Sequence, residues 1–181
     1  MAPFSYEGVA RELVARMKYR HERATAPWLA AAMARQVLDA GIAGRLTVVT
    51  FAPTTPVRRR ARGADHAEVL GRALAVRLRV PFRGLLRRLP GPPQTGRPAA
   101  ERRAGPRFTA RAPLDGAAVL LVDDVATTGA TVAAAAGALR RAGAGVVVVA
   151  TAARTPAPGL EQEAPAYTRP MAAGPRAGGS T

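Results

Sequence analysis

Thirteen residues, Val119 to Thr131 (VLLVDDVATTGAT), constrain this chain more than any other stretch. An apolar run ends in two adjacent acids, a short turn of threonine and glycine follows, and an alanine-rich run comes next. The pattern predicts a buried strand, an acidic strand end, a loop and the first turn of a helix. Two carboxylates at the end of a buried strand are costly unless they hold something. The turn after them suits a phosphate. Its N–H groups converge near a helix N-terminus, where the helix dipole also favours an anion. Gly129 lets a ligand approach the backbone closely, and Thr127, Thr128 and Thr131 add hydroxyl donors. The competing reading is an ordinary strand–turn–helix with a capped start. A Walker-type phosphate loop is excluded, because no GxxxxGK[ST] occurs.

Regular elements are expected on both sides of this stretch. Apolar residues at helical spacing predict a helix over 4–20 and a second over 27–39, the latter with Trp28, Leu29, Ala32, Met33 and Val37 on its periodic face. Residues 46–51 (LTVVTF) read as a first core strand, followed by the proline-bracketed turn 52–56. Ala64–Arg79 reads as a helix with Val69, Leu70, Ala73 and Leu74 inward. Residues 82–89 and 108–114 read as short strands around 90–107, a turn-rich, apolar-poor segment expected to be a long mobile loop. Residues 117–122 and 146–151 read as fully apolar strands, as in a parallel sheet covered on both faces. The fold class is therefore α/β: a central, mainly parallel sheet flanked by helices, with a long mobile loop. One domain is expected over 1–154, with 1–40 a helical lead-in and 155–181 a disordered tail.

Charge narrows the partners. The chain has 27 basic residues against 12 acidic and a formal net charge of +15, and Lys18 is its single lysine. That balance suits phosphorylated metabolites, pyrophosphate or nucleic acid. A base-composition bias toward arginine, alanine, glycine and proline codons explains the same numbers without a ligand. Aromatic residues make up 4% of the chain, which disfavours stacking platforms for single-stranded nucleic acid. No apolar run is long enough to span a membrane and no signal-peptide pattern opens the chain, so a membrane partner is not expected. Cysteine is absent, which rules out disulfides and thiolate metal sites. Together these features point to the cytoplasm.

The Val119–Thr131 stretch resembles the phosphoribosyl-diphosphate (PRPP) signature of type I phosphoribosyltransferases: four apolar residues, two acids, two variable residues and a Thr/Gly/Thr loop. Other segments resemble the ComF family of phosphoribosyltransferase-like proteins, which is associated with competence for DNA uptake. They are Lys18-Tyr19, the arginine run ending in Arg62-Gly63, Gln94-Thr95-Gly96, and Glu101-Arg102-Arg103. The chain lacks the cysteine zinc ribbon of many members. It reads Ala64-Asp65-His66 where the family commonly has Phe-Asn-Gln, and it has Thr127 where purine-salvage relatives place an aspartate.

The resemblance implies a transferase that displaces pyrophosphate from PRPP with Mg2+, toward an acceptor the sequence does not name. Asp123 and Asp124 would hold the ribose hydroxyls, directly or through metal-bound water. Thr127, Thr128, Gly129, Ala130 and Thr131 would hold the 5′-phosphate. Thr54, Thr55, Arg58, Arg59 and Arg60 would face the pyrophosphate, and a mobile loop with Gln94, Arg102 and Arg103 would cover it. Two alternatives stand beside this: a non-catalytic PRPP- or nucleotide-binding regulator, and a DNA-uptake accessory that contacts single-stranded DNA or a helicase.

Overall fold

A computed structural model of the chain describes residues 1–5, 25–90 and 105–155. Four strands form an all-parallel sheet: β1 (Phe4–Ser5), β2 (Val48–Phe51), β5 (Ala118–Ala126) and β6 (Val146–Arg154), in the order β1–β6–β5–β2. Helices α1 (Ala26–Asp39), α2 (Pro56–Arg62) and α3 (His66–Leu78) precede a short antiparallel pair, β3 (Leu86–Arg88) with β4 (Phe108–Ala110). Helix α4 (Ala130–Arg141) joins β5 to β6.

Alternation along β5 explains the layering. Leu120 and Val122 face a core with Leu29, Met33 and Val37 of α1 and Leu70 and Leu74 of α3. Val119 and Leu121 face the opposite core, with Ala135, Ala136 and Leu139 of α4, and Leu86 and Phe108 of the β3–β4 pair. Successive strand side chains point to opposite faces, so a strand covered on both faces must be apolar at every position. Val119 to Val122 are all fully buried. Each such side chain contributes about 1.5–3 kcal/mol by leaving water.

Several expectations are corrected here. Phe4–Ser5 do not begin a helix; they pair with Ala153 and Arg154 at the edge of β6. Tertiary strand pairing overrides local helical periodicity at that point. Trp28 is 71% exposed, because the buried stripe of α1 runs through Leu29, Ala30, Met33, Ala34 and Val37. The arginine run after the first strand forms a helix, α2. The β3–β4 pair stands outside the parallel sheet. The bulk of the first expected helix, the loop residues 91–104 and the tail from 156 onward lie outside the described residues. No helix among the described residues is long and apolar enough to cross a membrane.

Candidate functional site

The acids of the central strand sit where their neighbour stops. Phe51, the last residue of β2, pairs with Val122, and the Ala52 N–H donates to the Val122 carbonyl at 2.9 Å. Beyond that point β5 is flanked by β6 alone, with Asp123 opposite Thr151 and Val125 opposite Ala153. The strand therefore does not end at the acids as expected from sequence; it runs on to Ala126. A crevice opens beside Asp123 and Asp124 at the carboxyl ends of the strands, where open α/β sheets bind ligands. Asp123 is buried and Asp124 half-buried. The Asp124 N–H donates to Asp123 Oδ1 at 2.9 Å, and the Val125 N–H donates to Asp124 Oδ1 at 2.7 Å. These bonds orient both carboxylates.

The turn after β5 leads directly into α4. Gly129 precedes the helix at φ +76°, a left-handed conformation that side chains disfavour. It supplies no side-chain cap, and the Ala130 N–H reaches Thr128 Oγ1 at a long 3.4 Å. The first amides of the helix thus face the turn with little internal satisfaction, an arrangement that favours an anion.

The facing wall is an arch from Ala52 to His66. Thr55 caps α2 by accepting the Arg58 N–H at 3.2 Å, and Gly63 ends the helix at φ +68°. The Thr54 N–H donates to Asp65 Oδ2 at 2.7 Å. Asp65 and His66 are buried at the head of α3. Burial pushes the Asp65 carboxyl above its ordinary range, and the Thr54 amide pulls against that shift.

A third contributor comes from outside the parallel sheet. The segment before β3 is pinned to β2: the Val49 N–H donates to the Pro81 carbonyl at 2.8 Å, the Arg83 N–H to the Val49 carbonyl at 2.9 Å, and the Leu85 N–H to Thr50 Oγ1 at 3.1 Å. This carries Arg88 to the cleft, with its guanidinium 5.5 Å above the Phe108 ring. Burial lowers the Arg88 pKa and so does the charge of Arg58, while Asp123 and Asp65 oppose both effects.

The resulting cleft, of about 240 Å³, is lined by Thr54, Arg58, Arg62, Asp65, His66, Arg88, Asp123, Asp124, Thr127 and Thr131, with Ala52, Ala67 and Val125 completing it. Of the residues picked from sequence, Thr54, Arg58, Asp123, Asp124, Thr127 and Thr131 meet there. Thr128, Gly129 and Ala130 form the adjoining turn and helix start. Thr55 serves as a cap, Arg59 lies 3.8 Å from Glu68, and Arg60 does not line the cleft. Gln94, Arg102 and Arg103 lie outside the described residues. Arg88, Asp65 and His66 also line the cleft, although no sequence motif marks them as site residues. Arg62 closes the basic run that the sequence offers as a candidate pyrophosphate cradle, and in α2 it lies four residues after Arg58, on the same face.

A family model for the phosphoribosyl transferase domain matches residues 64–171. The chain belongs to the phosphoribosyl transferase domain family. The match spans α3, the β3–β4 pair, the acid pair and α4, so three sides of the cleft fall within it. No curated protein matches the chain. Among solved structures, a purine phosphoribosyltransferase from Pyrococcus horikoshii Ot3 is 14% identical, with a TM-score of 0.44, covering 71% of this chain and 84% of that one. The allosteric regulatory enzyme of purine biosynthesis is 21% identical, with a TM-score of 0.45 and coverage of 70% and 25%. An adenine phosphoribosyltransferase from Leishmania donovani is 24% identical, with a TM-score of 0.37 and coverage of 65% and 51%. The family assignment rests on the domain match.

Proposed function

We propose that the cleft binds PRPP with Mg2+ and that the protein, as a ComF-like member of its family, transfers the phosphoribosyl group to an acceptor with release of pyrophosphate. One observation carries this reading. The acid pair, the threonine turn at the head of α4 and the guanidiniums of Arg58, Arg62 and Arg88 surround a single cleft. PRPP has one group for each: ribose hydroxyls for Asp123 and Asp124, a 5′-phosphate for Thr127 to Thr131, and a diphosphate for Thr54 and the arginines.

The donor set suits Mg2+, a hard cation commonly bound by one or two carboxylates together with substrate phosphates and water. Among the described residues no group of three His, Cys, Asp or Glu could hold a metal unaided. Asp123 and Asp124 would therefore share the ion with the substrate's own oxygens. When bound, Mg2+ neutralises charge that builds on the departing diphosphate. In the reaction the bond from C1 to the diphosphate oxygen breaks, and the acceptor's nucleophilic atom bonds to C1 as its proton is released. The side chains contribute by holding the ribose, orienting the diphosphate and stabilising its charge.

The test is calorimetric titration of PRPP with Mg2+, followed by a pyrophosphate-release screen over acceptor classes. Binding with release supports the transferase. Binding without release for every acceptor supports a non-catalytic PRPP-binding regulator. A folded protein that binds no PRPP ends this reading. The +15 charge supports a further reading, contact with single-stranded DNA or a DNA-uptake helicase. That reading requires DNA binding that weakens steeply with salt, and it fails if none is seen at low salt.

A further inference from the structure

Helix α2 carries two cleft arginines with no buried side chain of its own. None of its seven residues is buried, and Val57, its one large apolar side chain, is 68% exposed. A helix this short does not sustain itself through its own hydrogen bonds. Its flanking contacts therefore help to set where Arg58 and Arg62 point. The Thr55 cap is local to the helix. The Arg59–Glu68 pair is wide at 3.8 Å, and Arg59 is well exposed. The Thr54–Asp65 bond differs from both. It is short, its acceptor is a buried carboxylate, and it spans the whole helix from one end to the other. Asp65 itself stands at the head of α3, which Leu70 and Leu74 anchor in the core.

We propose that Asp65 is a positioning residue whose carboxylate clasps the Thr54 amide, closes residues 54–65 into a loop and so aims Arg58 and Arg62 at an anion in the cleft. This deepens the reading of the cleft as a diphosphate site and rests on it. Without the clasp, α2 visits arrangements in which its arginines miss the ligand. Apparent affinity then falls in proportion to the competent fraction. The role needs an acceptor oxygen, which asparagine also supplies.

The test compares wild type, Asp65→Ala and Asp65→Asn in two measurements: calorimetric binding of inorganic pyrophosphate with Mg2+, and amide hydrogen exchange. Asp65→Ala is expected to weaken pyrophosphate at least tenfold. Asp65→Asn should bind within threefold of wild type. In Asp65→Ala the amides of Thr54 and of 57–62 should exchange faster, while those of α3 and β5 keep their protection. Three results would overturn the clasp: Asp65→Ala binding as tightly as wild type or tighter, Asp65→Asn binding as poorly as Asp65→Ala, or exchange rising alike throughout the protein. If wild type binds no pyrophosphate, the diphosphate reading fails instead, and the exchange data alone decide the clasp.

Discussion

Across the cleft, β5 and α2 present charged side chains from very different supports. β5 lies at the centre of the parallel sheet, with β2 on one side, β6 on the other, and helices over both faces. Asp123 and Asp124 extend from four consecutive fully buried residues. α2 buries nothing, and the contacts that place it include a cap, a wide ion pair and a clasp to α3. On the proposed reading, the acids would hold a ribose in register and gain from the stiff support. Arg58 and Arg62, which would meet a diphosphate, stand on an element that can adjust at small cost. Local stability is drawn from buried contacts, so the two walls should respond differently to the same kind of damage.

The largest expected contrast is in stability. Leu121→Ala removes a fully buried side chain beneath the acid pair and should cost about 2–5 kcal/mol in chemical denaturation. Val57→Ala on α2 should stay within about 0.5 kcal/mol. Equal losses would erase the distinction between the walls.

Next is ligand binding. Asp124→Ala should reduce PRPP affinity at least tenfold with the circular dichroism spectrum unchanged, since Asp124 is half-buried and its neighbours Asp123 and Val125 stay paired with β6. Wild-type affinity in this variant would remove the acid pair from the site.

A smaller effect separates residues within α2. Arg62→Ala should weaken pyrophosphate several-fold, whereas Arg59→Ala, whose side chain turns toward Glu68, should change it less than twofold. The reverse order would mean that the helix presents its other face to the ligand.

The smallest expected effect is a pH dependence. The Asp65 pKa is raised by burial, so its charged form costs the fold stability at neutral pH. That cost is fully present above the raised pKa and disappears as pH falls below the ordinary aspartate value. Asp65→Asn should therefore be somewhat more stable than wild type at neutral pH, and the gap should close on acidification through that window. Thermal melts at several pH values would read it, and a gap that widened toward acid would contradict the sign.

Legibility followed the same division. The stretch from Val119 to Thr131 announced a strand, an acid pair, a phosphate-suited turn and a helix, because each depends on residues next to one another in the chain. A strand covered on both faces must be apolar without interruption, and a turn before a helix calls for glycine and hydroxyls, so local chemistry was enough. The helices at 26–39 and 66–78 were legible from their 3.6-residue periodicity. Arg88 and Asp65 were not legible as site residues. Arg88 lies in a mixed stretch that reaches the cleft because residues 81–85 are pinned to the edge of β2. Asp65 matters through a bond to an amide eleven residues away. Sequence by itself determined the parallel α/β frame and the acid wall, since burial and backbone conformation constrain residue type locally. Tertiary structure alone decided that Arg88 joins Arg58 and Arg62 beside those acids while Arg59 and Arg60 do not line the cleft, because that depends on distances between segments that no local pattern encodes.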